Sequence, residues 1–248
     1  MLPFHNPRYD TTTIGVYSQQ TLTLAQGVVV KDFHFGCGHD KRRVPGKYDG
    51  LLGLGRLPES LAVKYGGAFS YCLPALNSRP GFLSLGTGRN NPSAFQFTPM
   101  GGIPTDPTFY TVTLTGITVG GKRLNIPPQA FRGGMIVDSS SVVTGLSSTD
   151  RRSEVSWRST RCFRMVALTP ATTLQVTKIS SCRRGATIDL DVSNGIMLDG
   201  CLAFAMSGPD DNPGLLGNVN QRTFEVLFVI PYFSKAKEKE KNKNKINK

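Results

Sequence analysis

The sequence predicts an all-β protein with minor helix. Three observations lead there. Short runs of Val, Thr and Leu are punctuated by turn-forming residues, with 27 Gly and 16 Pro in 248 residues. That punctuation favours strands and tight turns over long helices. Several runs alternate apolar with polar side chains, which turns one face to a core and the other to water. The length suits one large or two medium domains.

The elements follow in order along the chain. Thr21-Leu22-Thr23-Leu24 alternates and reads as a strand. Pro58-Glu59-Ser60-Leu61-Ala62-Val63-Lys64-Tyr65 reads as a short helix. Its proline is tolerated in the first turn, where the missing N–H would have no intrahelical partner. The run from Tyr110 to Val119 alternates throughout, and Gly120-Gly121 then reads as a hairpin turn. Met135-Ile136-Val137 is the end of a buried strand, and Val142-Val143-Thr144-Gly145 resumes the apolar character. Between them lies Asp138-Ser139-Ser140-Ser141. A carboxylate inside a buried apolar segment is costly unless it is hydrogen-bonded or paired. Asp138 is therefore either structurally satisfied or chemically used. Gly50-Leu51-Leu52-Gly53 recurs as Gly214-Leu215-Leu216-Gly217, a weak internal repeat that by itself reads as two buried strand ends.

The apolar-apolar-Asp-Ser-Ser-Ser run ending at Ser141 resembles the active-site turn of the pepsin-like aspartic proteases. It takes the second-lobe form, with Ser140 where that family has glycine. FHFGCGHD (33–40), DGLLGLGR (49–56), FSYCLP (69–74), FTPM (97–100), FYTVTLTGITVGGKRLNIPP (109–128) and DGCLAF (199–204) resemble the plant, nepenthesin-like branch. The similarity covers most of residues 13–146 and 185–228. It implies an N-terminally truncated, partly degenerate member with an incomplete two-lobed fold and a peptide cleft. Residues 1–107 would be the remnant of an N-terminal lobe from the flap hairpin onward. Residues 108–234 would be the C-terminal lobe, with a non-matching insert at 147–184, and 235–248 a disordered Lys-rich tail.

The resemblance also implies a mechanism. Two carboxylates share one proton, because at close range both cannot ionise. One accepts a proton from the attacking water while the other donates to the peptide carbonyl. Asp138 would be the second-lobe carboxylate, oriented by Ser139 and Ser141. Each Gly-Leu-Leu-Gly segment would brace one such turn, its glycines allowing close backbone approach. The first turn has no counterpart: residues 1–49 contain neither Asp-Thr-Gly nor Asp-Ser-Gly. Tyr9 is the candidate flap tyrosine over the substrate, although its spacing to Gly15 is short, and a surface tyrosine is the other reading. A Cβ at Ser140 restricts φ and is expected to crowd the turn. The expected activity is therefore that of an aspartic endopeptidase by family, absent in a chain with one carboxylate. The alternatives are a non-catalytic inhibitor or binding protein on the same fold, or a fragment with no stable fold. Neither a metal nor an organic cofactor is implied. The expected partner is a peptide or protein substrate, met by a monomer.

The net charge of +12 invites a nucleic-acid or membrane reading. The charge is not spread out, however. Residues 151–184 carry eight Lys and Arg against one Glu, and 235–248 carry seven Lys against two Glu. These segments account for the whole excess, and both depart from the family pattern. The block RRSEVSWRSTRCFRMVALTPATTLQVTKISSCRR stands where the family continues with an Ala-, Tyr- and Leu-rich helix, and it looks like a shifted frame or mis-joined exon. KAKEKEKNKNKINK cannot bury enough apolar surface to fold and lacks interleaved aromatics, so no specific nucleic-acid role is expected.

Five cysteines, Cys37, Cys72, Cys162, Cys182 and Cys201, leave at least one unpaired. By resemblance, Cys37 would pair with the missing N-terminal part and Cys72 with the missing C-terminus, and the partner of Cys201 would lie in the segment that the non-matching block replaces, with Cys182 and Cys162 the alternative substitutes for it. The family is secreted or vacuolar. Met1–Arg8 has no apolar signal-peptide core, and no stretch approaches the length of a membrane span.

Overall fold

A computed structural model describes residues 2–6, 11–24, 27–42, 49–75, 80–86, 95–119, 122–147, 188, 190, 197–198, 201–208, 212–222 and 224–230. The chain divides into two compact units, Met1–Gly53 and Leu54–Lys248.

The first unit is one antiparallel sheet of β1 (Leu2–Asn6), β2 (Thr11–Thr23) and β3 (Val29–Arg42), in that order. The alternating run ending at Leu24 supplies the far end of β2. Its register slips between Ile14 and Gly15 and again between Gln20 and Leu22. Tyr17 stacks on His34 across the strand pair, with ring centroids 5.3 Å apart. Asp32 takes a left-handed φ of 53°, which short polar side chains tolerate. Its Oδ1 accepts a 2.9 Å bond from Gln19 Nε2.

The second unit opens with α1 (Leu61–Lys64), then β4 (Ala68–Cys72), β5 (Phe82–Leu85), β6 (Gly101–Ile103), β7 (Asp106–Val112), β8 (Thr118–Val119) and β9 (Lys122–Arg123). It continues with β10 (Met135–Val137), β11 (Thr144–Ser147), β12 (Met197–Leu198), β13 (Cys201–Leu202), β14 (Phe204–Gly208), β15 (Gly214–Leu216) and β16 (Glu225–Val229). The helix is shorter than the predicted 58–65. Ser60 caps it, its side chain accepting a 3.3 Å bond from the Val63 N–H, so Pro58 and Glu59 stay in the preceding turn. Gly66 and Gly67, both at positive φ, turn the chain away at the other end.

One sheet has the order β16-β4-β5, all antiparallel. Its core is aromatic: Phe228 lies 4.7 Å from Phe69 and 4.5 Å from Tyr110, centroid to centroid. Such pairs add about 0.5–1.5 kcal/mol beyond their buried area. Burial pushes the Tyr110 hydroxyl up to about 12, against a downward pull from Arg56. That hydroxyl donates to the Leu54 carbonyl at 2.7 Å.

A second sheet runs β14-β11-β15-β10-β7-β6. The core behind it gathers Leu114, Ile117, Met135 and Leu216. Here the predicted unbroken strand from Tyr110 to Val119 is interrupted: β7 ends at Val112 and β8 starts at Thr118. The reason is burial. Residues three apart in a strand face opposite ways, yet Leu114 and Ile117 both join this core. Leaving the sheet lets them do so. β8 and β9 pair antiparallel on either side of residues 120–121, as a hairpin requires.

Candidate active site

The site is built at the end of β10. This strand pairs with β15 on one side and β7 on the other, so it is interior to its sheet. Met-Ile-Val suits such a position, since a strand covered on both faces reads as a continuous apolar run; Ile136 is fully buried. The chain then turns through residues 138–143 and returns as β11. Into the gap between β10 and β11 fits β15, parallel to β10 and bridged to β11 at Gly145 and Leu215. The Asp138 N–H donates to the Leu216 carbonyl at 3.1 Å, which extends this pairing to the first residue of the turn.

The Asp138 carboxylate is held by its own turn. Oδ1 accepts from the Ser140 N–H at 2.9 Å and from Ser140 Oγ at 2.5 Å. Oδ2 accepts from Ser141 Oγ at 2.8 Å. A carboxylate that bonds the N–H two residues on closes a small ring and fixes the turn. Ser141 is buried and Ser139 is exposed. Ser140 corrects the expectation of steric conflict. Its φ is not positive, Asp32 being the described non-glycine residue that is. Its hydroxyl adds a bond to the carboxylate that a glycine would lack.

Behind the turn sits a layer of buried polar groups that the sequence reading did not single out. A short 3-10 helix, Val219–Gln221, follows β15 by two residues. The Asn218 N–H donates to the Ser141 carbonyl at 2.7 Å and the Val219 N–H to the Val142 carbonyl at 3.2 Å. Asn220 and Gln221 are fully buried. Asn220 Oδ1 accepts a bond from Thr144 Oγ1, which in turn accepts the Gly217 N–H at 3.0 Å. Gln221 Oε1 accepts a bond from the Tyr71 hydroxyl, and Gln221 Nε2 donates to the Leu216 carbonyl at 2.7 Å. Burial above all, and the Asp138 charge after it, raise the Tyr71 hydroxyl above its ordinary range, so it stays a donor. A signal was available in the sequence: three amides in Asn218-Val219-Asn220-Gln221 directly after an apolar run must find partners if buried.

The two copies of the repeat differ. Gly214–Leu216 is buried between two strands. A Cβ on Gly217 would lie 2.5 Å from both the carbonyl carbon and oxygen of Val143 and 2.8 Å from the Val142 oxygen. The backbones meet here so closely that only glycine fits. The first copy is not a buried strand end, contrary to the sequence expectation. Residues 50–53 carry no strand, Leu51 is 82% exposed, and nothing lies within 4 Å of a Cβ built on Gly50 or Gly53. The physical difference is the pair of flanking strands: β10 and β11 enclose the second copy, and among the described residues no strand flanks the first.

Other expected features are placed as follows. Tyr9, most of the 147–184 segment, Cys162, Cys182 and the tail 235–248 lie outside the described residues. Cys37 and Cys72 are free thiols. Among the described residues, no group of His, Cys, Asp and Glu could hold a metal ion, and no helix is long and apolar enough to cross a membrane.

Comparison with known proteins places these features in context. Residues 3–87 match the family model described as "Xylanase inhibitor N-terminal". An aspartyl protease family protein of Arabidopsis thaliana is 33% identical over 87% of this chain and 50% of its own length. Aspartic proteinase nepenthesin-2 of Nepenthes gracilis is 31% identical over 88% of this chain and 56% of its own. The chain thus spans about half the length of the curated relatives it matches. Among solved structures, the basic 7S globulin from soybean aligns with a TM-score of 0.68 at 18% identity, covering 94% of this chain and 70% of that one. Conglutin gamma from lupine seeds aligns at 0.66 and 19% identity, over 94% of this chain and 70% of its own. These two establish a shared fold.

Proposed function

Starting from a chain that belongs to the plant pepsin-like aspartic protease family, we propose that it carries one half of a peptide-hydrolysing carboxylate pair and does not by itself hydrolyse peptides. Asp138 is the carboxylate, held by Ser140 and Ser141. The observation that carries the reading is the turn itself: an aspartate at the tip of an interior strand, its two oxygens fixed by three hydrogen bonds. Fixing a carboxylate this way orients it in advance of any reaction. Hydrolysis needs a second carboxylate to divide the acid and base roles. Residues 1–49 of this sequence contain no equivalent Asp-Ser/Thr-Gly turn.

The experiment is cleavage of a denatured protein substrate at about pH 3–5, where a carboxylate pair holds one proton. It is run with and without a transition-state-mimicking aspartic protease inhibitor, beside Asp138→Ala. The expected outcome is no cleavage from a folded sample. Cleavage abolished by both the inhibitor and Asp138→Ala would refute the proposal, because a second carboxylate would have been recruited.

A second reading is a non-catalytic binding or inhibitory protein on the same fold. The match of residues 3–87 to a model named for xylanase inhibitors supports it. Retention of an unhydrolysed peptide or a glycosidase by the folded chain, insensitive to Asp138→Ala, would favour this reading over the first.

A further inference from the structure

Resting on the reading of Asp138 as a site residue, we propose that Gln221 and Tyr71 are positioning residues for it, acting through the Leu216 carbonyl. The Tyr71 hydroxyl on β4 donates to Gln221 Oε1. Gln221 Nε2 donates to the Leu216 oxygen at 2.7 Å. The same oxygen accepts the Asp138 N–H at 3.1 Å. The last residue of β15 is thereby held from one side by the amide and holds the first residue of the turn on the other. The carboxylate hangs from that residue, so its aim follows the placement of Leu216.

The relay is buried along its length. Gln221 is fully buried and Tyr71 is 7% exposed. Neither end can exchange its bond for one to water, so each missing bond leaves an orphaned group. It also joins two sheets that share no strand: β4 lies in the sheet with β16, whereas β10 and β15 lie in the six-stranded sheet. Thr144 and Asn220 make the parallel tie on the other side of the 3-10 helix, to β11. Gln221 is the one that reaches β15 at the residue bonded to Asp138.

The test is amide hydrogen exchange by NMR on the full chain, comparing the Asp138 N–H with the buried Ile230 N–H, which donates to the Gly67 carbonyl at 2.7 Å, as an internal control. Gln221→Leu removes both bonds at similar volume. It is expected to lower protection of Asp138 about tenfold or more while Ile230 changes little. Tyr71→Phe keeps the ring and removes only the hydroxyl, and a smaller loss confined to the same amide is expected. Gln221→Glu separates positioning from packing. A protonated carboxyl can still accept from Tyr71 and donate to Leu216, whereas an ionised one cannot donate. Protection of Asp138 relative to Ile230 should therefore be near wild type in acid and fall as that glutamate ionises. Burial would place this change above the ordinary glutamate range. Unchanged Asp138 protection in folded Gln221→Leu or Tyr71→Phe would overturn the proposal, as would a Gln221→Glu protein whose protection ignores pH. None of these measurements uses peptide cleavage, so a failed cleavage assay and a failed relay are separate results.

Discussion

The two Gly-Leu-Leu-Gly copies allow one substitution to be read twice. Consider Gly217→Ala and Gly53→Ala in the full chain. At Gly217 the new methyl would lie 2.5 Å from Val143 backbone atoms and 2.8 Å from the Val142 oxygen. These are backbone groups of the Asp138 turn, and they have no rotamer through which to yield. Over-packing of this kind costs about 1–3 kcal/mol and sometimes more. The substitution also presses on the N–H that bonds Thr144 Oγ1 at 3.0 Å, so a value near ~3 kcal/mol is expected. Gly217 has no positive φ, so the cost is steric rather than conformational. At Gly53 nothing lies within 4 Å of the same methyl, and φ is again not positive. Alanine there should be neutral or stabilise by roughly 0.4–1 kcal/mol by restricting the unfolded chain. Urea unfolding reads both. With a slope of about 1–3 kcal/mol per molar, Gly217→Ala should move the midpoint down by roughly 1 M or more, and Gly53→Ala should move it slightly up. Equal losses at both positions would refute the reasoning, since the first copy would then also be enclosed by strands.

Further expectations concern the polar layer, the buried leucines and the tyrosines. Thr144→Val keeps the shape but removes the bond to Asn220 Oδ1 and takes the Oγ1 acceptor from the Gly217 N–H; at about 1–3 kcal/mol for a lost buried bond, thermal unfolding should shift down by several degrees. Leu51→Ala should fall within about 0.5 kcal/mol of wild type, as exposed substitutions do, whereas Leu215→Ala should cost about 2–5 kcal/mol in the same urea titration. Folding raises the hydroxyls of Tyr71 and Tyr110 above their ordinary value of 10.0. The folded state then binds more protons than the unfolded one above that value, so stability is whole below pH ~10 and is lost as pH rises beyond it. Tyrosinate absorbance should accordingly appear together with unfolding between about pH 10 and 12, and Tyr110→Phe should flatten part of that dependence.

Much of this was readable in the residues because each signal was local. Alternation at Thr21–Leu24 marked β2, and the apolar Met135–Val137 marked β10 with the aspartate at its tip. Ser60 could have bounded the helix, since a capping hydroxyl before Leu-Ala-Val is also a local signal. What the pattern could not supply was which neighbours a segment meets. Two identical tetrapeptides differ in burial because β10 and β11 enclose one of them, and no property of Gly-Leu-Leu-Gly itself says so. The break after Val112 had the same origin: alternation predicted a strand, and a core able to take both Leu114 and Ile117 drew the chain out of the sheet. Ser140 was misjudged for a related reason. Its Cβ was weighed as an obstacle, whereas its hydroxyl meets Asp138 as a donor. Tyr71 and Gln221 were hidden because they are 150 residues apart in sequence.

The pairing of β4 with β16 has a consequence for synthesis. Ala68–Cys72 pairs along one edge with β5, but its other edge is covered by Glu225–Val229, and Phe69 completes its aromatic stack only when Phe228 arrives. A chain emerging from the ribosome must therefore carry an open β4 edge and uncovered rings until residues 225–229 have been made. Contacts this distant in sequence close slowly, and open edges beside apolar rings are where nascent chains associate with one another. Yield of folded protein should then depend on how quickly β16 is delivered. Slower elongation through the segment before it would prolong the exposure and draw more of the product toward chaperones or inclusion bodies.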